Sequence, residues 1–234
     1  AKAFELFSKS AEKGNPDALC CLGELYQDGK GVDKNIDKAI ECYKKAADLG
    51  NPTALFNLGM FHYYGQFVEK DYSKSFQYYK KAADLGNEYA LCNLGDLYEQ
   101  GFGVDKNYYK AFECYKKAAD LGDSTSVSNI GELYYKGRGV QQNYQKAVEY
   151  FQKAADMNDE FGLFNMGNCY YKGHGVQQDY KKAIEFYQKA VGLDNPDSMK
   201  GLGDCYFEGH GVKQDYQKAH EFYKKAADLG NADA

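Results

Sequence analysis

The chain has 234 residues, with 25 glycines, 23 tyrosines, 3 prolines and no tryptophan. Its 44% hydrophobic and 27% charged residues make it too apolar for a disordered chain and too highly charged for collagen. The formal net charge of -5, with lysine and glutamate interspersed, provides no basic field for a phosphate backbone, and no stretch approaches the roughly 18 apolar residues of a membrane span. We therefore expect neither nucleic acid binding nor membrane insertion.

The first predicted element is a helix over Ala3–Lys13, within residues 1–14. It carries the apolar residues Phe4, Leu6 and Phe7 and has no helix before it, so we interpret it as an orphan copy of the second helix of the repeats that follow. Because the sequence begins Ala-Lys-Ala without a methionine, we expect an excerpt of a longer protein. Either the natural chain continues in both directions, or the uncapped ends stack on other copies.

From residue 15 the sequence repeats at a shift of 36 residues without a gap, and each unit opens with the same helix. In the first complete unit this helix, called helix A, is predicted over residues 16–28. Asn15 precedes it as a side-chain N-cap, and Pro16 occupies a first-turn position where proline loses no hydrogen bond. Gly29 is predicted to end the helix in the left-handed conformation.

A glycine also recurs in the middle of helix A, at Gly23 in the first unit. Glycine at such a position costs about 1 kcal/mol of helix stability relative to alanine. Because all six complete units keep this glycine, we expect another helix backbone to pass too close for a Cβ atom.

The second helix of each unit, called helix B, follows a Gly-x-Gly-Val link. In the first unit Asn35 is its N-cap, and the helix is predicted over residues 36–48. Ala39, Tyr43 and Ala46 form a stripe of small residues around one aromatic ring. Short links of about two to seven residues force neighbouring helices to lie antiparallel. The sequence therefore predicts an all-α fold, an α/α superhelix (solenoid) of antiparallel helix pairs.

The same columns divide the single predicted array, residues 1–234, into six complete units and a partial one. The complete units are 15–50, 51–86, 87–122, 123–158, 159–194 and 195–230. Residues 231–234 begin a truncated next unit. Four glycine columns of these units contain 22 of the 25 glycines, so the unusual composition reflects the number of repeats.

The columns read Asn-Leu-Gly-x-Leu-Tyr-x-x-Gly-x-Gly-Val, then Asp/Asn-Tyr-x-Lys-Ala, then Tyr-x-Lys-Ala-Ala-x-x-Gly-Asn. This pattern resembles the Sel-1-like repeat (SLR), a relative of the tetratricopeptide repeat, and the resemblance covers the whole chain. The resemblance implies an α/α superhelix that serves as an adaptor or scaffold in signalling and in the assembly of protein complexes.

Helix A positions outside the apolar stripe vary between units, and they are expected to line the concave side if the stacking resembles that of tetratricopeptide repeats. We predict that a partner protein or peptide binds there. The candidate residues are Phe56, Asn57, Tyr63, Asn93, Asn129, Tyr135, Phe164, Asn165, Tyr171 and Phe207.

Two interpretations of this surface remain open. In one, the asparagines hydrogen-bond an extended peptide and the aromatic rings anchor it. In the other, the asparagines bridge adjacent repeats and the rings fill gaps between helices. On the first interpretation, Tyr135→Ala weakens binding with little loss of stability, whereas a loss as large as that of the core change Tyr43→Ala supports the second.

The seven cysteines are an odd number, which favours a reducing compartment, and we expect a cytoplasmic location. A secreted or periplasmic location stays open because the sequence is taken to be an excerpt. Cys169 and Cys205 share a column with leucines and are expected to be buried. Bridges between Cys20 and Cys42, or between the equivalent residues of the third unit, are conceivable.

Disulfide-bonded SLR proteins that resemble β-lactamase-like enzymes carry a cysteine late in helix B. Here the corresponding column begins at Ala47 and holds no cysteine. This departure argues against that subfamily and its enzymatic role.

The four histidines do not predict a metal site. His174 and His210 occupy the middle of the Gly-x-Gly links and are expected to be solvated loop residues. His62 replaces a core tyrosine, and His220 replaces an apolar residue of the last helix B. No nucleophile and base stand at a catalytic spacing, so we expect no catalytic residue, no metal and no cofactor.

The leading hypothesis is a non-catalytic interaction scaffold that binds a partner on the concave helix A surface. The alternative is a substrate-recruiting or regulatory segment of a larger signalling enzyme. A more remote alternative is a β-lactamase-like hydrolase of the SLR type.

Overall fold

The computed structural model describes residues 2–231 and contains, within that range, thirteen α-helices and no β-strand. The helices are α1 (Lys2–Ala11), α2 (Pro16–Asp28), α3 (Ile36–Asp48), α4 (Pro52–Tyr64), α5 (Tyr72–Asp84), α6 (Glu88–Gln100), α7 (Tyr108–Asp120), α8 (Ser124–Lys136), α9 (Tyr144–Asp156), α10 (Glu160–Lys172), α11 (Tyr180–Val191), α12 (Pro196–Glu208) and α13 (Tyr216–Asp228). The predicted all-α fold of paired helices is confirmed. Residues 232–234 of the predicted truncated unit lie outside the described residues.

The helix boundaries follow from the capping residues, as predicted. In α2, Oδ1 of Asn15 accepts a hydrogen bond from the Ala18 N–H at 2.9 Å, and Gly29 ends the helix at φ 73°. In α3, Oδ1 of Asn35 accepts from the Lys38 N–H at 3.0 Å. The predicted ranges of the first helix A and helix B are therefore confirmed.

The orphan helix α1 ends two residues earlier than predicted, at Ala11. The N–H of Lys13 donates to the carbonyl of Ser10 at 3.1 Å, and that of Gly14 donates to Ala11 at 2.9 Å. These bonds span three residues instead of four, so the chain leaves the α-helix in a tighter turn.

The helices group into two compact units, which within the described range are residues 2–121 and 122–231. From here on, "unit" means one of these two bodies, and each 36-residue segment is called a repeat. The first unit comprises α1–α7 and the second α8–α13. The most deeply buried rings of the first unit are Tyr43, Tyr79 and Tyr115. In the second unit Phe151 and Tyr187 occupy the same column. The division of the chain into a single array of six repeats stays a prediction.

The glycine in the middle of helix A is required by an aromatic ring and not by a helix backbone. A Cβ atom at Gly23 would lie 2.8 Å from Cε1 of Tyr43, and one at Gly59 would lie 2.6 Å from the ring of Tyr79. The expectation that a helix backbone causes the close approach is therefore wrong. The ring of helix B fills the gap between the paired helices and leaves no room for a side chain on helix A.

Candidate partner-binding surface

The ten predicted residues, called the helix A surface below, include rings that pack against helix B of their own repeat. In the first unit, the centroid of Phe56 lies 5.7 Å from that of Tyr79, and the centroid of Tyr63 lies 5.4 Å from that of Tyr72. Phe56 is also 6.0 Å from Tyr89 of the next helix A. Phe56 and Tyr63 are half-buried, so each presents only part of its ring to solvent.

The second unit repeats this arrangement. Four ring pairs join helices A and B, at centroid distances of 5.0 Å for Tyr135–Tyr144, 6.1 Å for Phe164–Tyr187, 5.2 Å for Tyr171–Tyr180 and 5.4 Å for Phe207–Tyr216. Phe207 is the most exposed of these helix A rings, at 46%. The premise that these rings lie off the packing stripe is wrong, because each is in contact with a helix B ring. Their role in binding stays a prediction.

The asparagines Asn57, Asn93, Asn129 and Asn165 are all half-buried. The side chain of Asn93 interacts with the hydroxyl of Tyr79, which belongs to the preceding repeat. Burial raises the pKa of Tyr79 above its usual value, and the contact with Asn93 opposes that rise. At this position the asparagine lies near a ring of the preceding repeat, and its amide keeps hydrogen-bonding capacity for another ligand.

Other helix A residues bond the hydroxyls of the buried tyrosines of helix B. The Tyr115 hydroxyl donates to Oδ1 of Asp96 at 2.6 Å, and the Tyr187 hydroxyl donates to Oδ1 of Asn168 at 2.8 Å. In the last repeat Tyr223 donates to Asp204 at 2.8 Å. All three pairs are 19 residues apart, a recurring spacing that the sequence contained and that our prediction did not use.

His174 and His210 pack against tyrosines of the preceding repeat. The expectation that they are solvated loop residues is therefore wrong. The hydroxyl of Tyr135 lies 2.7 Å from Nδ1 of His174, whose ring stacks on Tyr144 with centroids 4.5 Å apart. His210 lies 2.9 Å from the hydroxyl of Tyr171 and stacks on Tyr180 at 4.3 Å. The tyrosines belong to the preceding repeat, so each histidine joins two repeats.

The backbone of the Gly-x-Gly link brings these histidines into place. A Cβ atom at Gly211 would lie 2.9 Å from the carbonyl carbon of Tyr180, so the link is pressed against the start of the preceding helix B. In the first unit Phe102 takes the place of the histidine and stacks on Tyr72 at 4.5 Å. The middle residue of the link therefore makes a contact between repeats wherever it carries a ring.

The other two histidines differ from each other. His62 stacks on Tyr78 at a centroid distance of 5.7 Å, and its Nδ1 lies 3.2 Å from the carbonyl oxygen of Glu69. His220 is exposed, although the column it occupies is otherwise apolar. In the part of the chain that the structure describes, no group of three or more His, Cys, Asp or Glu side chains is placed to hold a metal ion.

The seven cysteines are free thiols. Cys169 and Cys205 are buried as predicted, with 0% exposure. Burial raises the pKa of both thiols to about 12, and burial also raises the pKa of Cys20 to about 12. These three thiols are protonated at neutral pH and are poor nucleophiles.

Two cavities are lined in part by residues of the helix A surface, one in each unit. The first has a volume of about 440 Å³ and is lined mainly by Phe56, Asn57, Leu85 and Tyr89, with Glu24 and Glu88 among its walls. The second has a volume of about 220 Å³, and its lining residues are Phe164, Asn168, Tyr171, Lys172, Tyr187, Asp197, Lys200, Gly201 and Asp204. Both cavities combine aromatic rings with amide and charged groups, a mixture that suits side chains of a peptide.

One residue that lines the second cavity, Gly201, replaces the asparagine of its column. Gly201 occupies the position that Asn165 occupies one repeat earlier. A Cβ atom at Gly201 would lie 3.1 Å from the ring of Tyr187, so any side chain there would cover that ring. The missing side chain leaves space in the cavity above the ring of Tyr187, which is itself 2% exposed.

The Sel1 repeat family matches the chain in seven segments, at residues 1–15, 16–51, 52–87, 88–123, 126–159, 161–195 and 196–231. Within residues 2–231, none of the helices combines the length and apolar character that a bilayer crossing needs. No curated protein matches the chain significantly.

Three solved structures show the similarity to known proteins. The antigen c5321 of uropathogenic Escherichia coli, which displays an SLR fold, is 34% identical over 98% of this chain and 49% of its own, with a TM-score of 0.82. A Sel1 repeat protein from Oxalobacter formigenes is 32% identical over 91% of this chain and 85% of its own, with a TM-score of 0.87. The immunity protein Pa5087 of Pseudomonas aeruginosa is 26% identical over 82% and 73%, with a TM-score of 0.51. The chain thus spans about half the length of the E. coli protein.

Proposed function

This chain belongs to the Sel1 repeat family, and we propose that it is a scaffold that binds a partner peptide or protein domain along the helix A surface. Sel1 repeat proteins generally mediate protein–protein interaction, and their fold is typically a non-catalytic scaffold. The proposal adds the location of the binding surface and the absence of catalysis in this chain.

The observation that carries the proposal is that helix A residues that differ between repeats border two open cavities, beside recurring residues such as Asn57 and Tyr187. Gly23 and Tyr43 recur with little change and are buried against each other. Phe56, Phe164 and Gly201 differ between repeats and border the two cavities. A repeat array needs the first set to fold and is free to change the second set to suit a partner.

The chemistry of the surface supports binding and not turnover. The buried thiols that adjoin it have raised pKa values, and His174 and His210 are engaged in ring stacking and in contacts with tyrosine hydroxyls. The reducing, cytoplasmic location is part of the proposal and rests on the odd number of cysteines. A role as the recruiting segment of a larger signalling enzyme uses the same surface, and it remains the alternative.

Selection from a peptide library tests the proposal. The whole chain is immobilised and offered random displayed peptides of about 12 residues, which span about 40 Å when extended. The affinities of selected peptides are then measured by fluorescence anisotropy with the wild type and with two variants. Phe56→Ala removes the ring that borders the first cavity, and Gly201→Asn restores to the second cavity the side chain of its own column.

We expect each selected peptide to bind one of these two variants at least about tenfold more weakly, the loss typical of a ring at the centre of an interface. The control Lys80→Ala alters an exposed residue of helix B and should leave the affinity unchanged. Peptides that are insensitive to both helix A variants and sensitive to Lys80→Ala contradict the proposal. Melting curves establish that each variant is folded at the assay temperature.

A further inference from the structure

The helices A of the first unit carry acidic residues and no lysine or arginine. Helix α2 contains Asp17, Glu24 and Asp28, and α6 contains Glu88, Asp96 and Glu99, whereas α4 contains no Asp, Glu, Lys or Arg. The three helices B of the same unit each contain three lysines. These helices B also contain acidic residues, three in α3, one in α5 and two in α7, so they carry both signs, whereas the charge of α2 and α6 is negative only.

Glu24 of α2 and Glu88 of α6 line the cavity that Phe56 and Tyr89 border. Tyr89 is 58% exposed and Tyr64, on the same set of helices, is 64% exposed. Within residues 2–231, Glu24 and Glu88 make no hydrogen bond or ion pair, although both line the cavity. Two carboxylates without a counterion therefore stand beside an apolar opening.

Negative potential extends from the cavity along the same face. Burial raises the pKa of Tyr63 above its usual value, and the negative charge of Asp96 raises it further. Burial likewise raises the pKa of Tyr43, and Glu24 is the next largest cause. The carboxylates of α2 and α6 thus act on rings of α3 and α4, and a cation at this face would meet an attractive field.

We propose that this face of the first unit binds a basic peptide segment in which lysine or arginine neighbours an aromatic or aliphatic side chain. The apolar side chain enters the cavity beside Phe56 and Asn57, and the cation pairs with Glu24 or Glu88. An arginine also stacks on the exposed ring of Tyr89. This inference rests on the proposed function and names the chemistry of its partner.

A second copy of this chain is a weaker candidate than a separate peptide. The exposed lysines of helix B, such as Lys44 and Lys80, would supply the positive charge. The rings next to them in sequence, Tyr43 and Tyr79, are each 1% exposed. These two rings cannot enter a cavity on another molecule. Tyr109 and Tyr216 are exposed, but each stands in the first turn of its helix B, away from the lysine pairs near the C-terminal end, so those pairs have no exposed ring beside them.

The second unit provides an internal comparison. Its helices A contain Lys136, Lys172 and Lys200, and Lys136 pairs with Glu132. The cavity of that unit is lined by Lys172 and Lys200 together with Asp197 and Asp204, so its lysines balance its carboxylates, and Lys200 pairs with Asp204 at 3.3 Å. A preference for basic peptides should therefore be confined to the first unit.

The test uses the peptides selected on the whole chain by the library experiment above. Those that lose affinity for Phe56→Ala are sequenced, and each is resynthesised with its lysines and arginines replaced by glutamine. Affinities are measured for the wild type and for the double variant Glu24→Gln/Glu88→Gln. The control is Glu132→Gln/Glu160→Gln, which removes one carboxylate of each of the same two columns from the second unit and leaves Asp204 in place.

We expect the Phe56-dependent peptides to contain more Lys and Arg than Asp and Glu. Each carboxylate removed from the first unit should weaken binding about threefold, the effect of a partly exposed ion pair. The second-unit control should leave the affinity unchanged, and the glutamine peptides should bind both proteins equally. Raising the ionic strength from about 0.05 M to about 0.5 M should weaken the binding of the basic peptides more than that of their glutamine versions.

The outcomes separate this inference from the proposed function. Phe56-dependent peptides that are neutral or acidic overturn the inference and leave the helix A surface as a binding site. Selected peptides whose affinity falls only in the Gly201→Asn variant also overturn the inference and leave the helix A surface as a binding site. Peptides insensitive to every helix A variant, or a failure to select any peptide, overturn both. A dimer in light scattering that Glu24→Gln/Glu88→Gln dissociates identifies a second copy as the occupant and overturns the basic peptide.

Discussion

Gly59→Ala places a methyl group where the ring of Tyr79 already lies. The added Cβ would stand 2.6 Å from both Cδ1 and Cε1 of that ring, about 1 Å closer than ordinary carbon contact. Tyr79 is 1% exposed, so the ring cannot move into solvent. Overpacking of this kind costs about 1–3 kcal/mol, whereas alanine in a helix gains about 1 kcal/mol over glycine. We expect a net loss of up to about 2 kcal/mol in the free energy of unfolding.

Urea unfolding followed by circular dichroism measures this loss. The same change is then made in a Tyr79→Leu background, where the smaller side chain leaves room for the methyl group. There the helix propensity of alanine should dominate, and Gly59→Ala should be neutral or stabilising by up to about 1 kcal/mol. A stabilisation by Gly59→Ala in the wild-type background would refute the explanation that the ring excludes a side chain.

Three further predictions concern contacts seen in the structure. Tyr135→Ala should lower the free energy of unfolding by about 2–3 kcal/mol, because the half-buried ring and its contact with His174 are both lost, and a thermal melt checks this. Asn51→Ala should cost about 1 kcal/mol in the same assay, because the N-cap bond to Ala54 is removed. Burial raises the pKa of Cys169 and Cys205 to about 12, so these two thiols should stay unlabelled by a thiol reagent at pH 8 and react at once in urea. Rapid labelling of these two residues in the native protein would contradict their burial.

The helix boundaries were predictable because they depend on capping residues that recur in every repeat. Asn15 and Gly29 mark the ends of helix A in the sequence, and the structure places the cap bond and the left-handed turn at those residues. The burial of Cys169 was predictable for a related reason, because leucine occupies its column in other repeats.

Contacts between columns were not predictable in the same way. Periodicity shows which residues are equivalent but does not show which of them face each other. His174 looked like a loop residue because its partner Tyr135 is 39 residues away, in the preceding repeat. We expected a helix backbone to contact Gly23, although the ring of Tyr43 stands in the same repeat. The helix A rings were taken to be free for the same reason.

The central claim is that a partner lies on the helix A surface, and photocrosslinking tests it most directly. A photoreactive phenylalanine derivative replaces Asn57 on helix A in one protein and Lys80 on helix B in another, and each is irradiated with a selected peptide. We predict a crosslink from position 57 that excess unlabelled peptide suppresses, and none from position 80. A specific crosslink from position 80 alone would place the partner on the helices B and contradict the account.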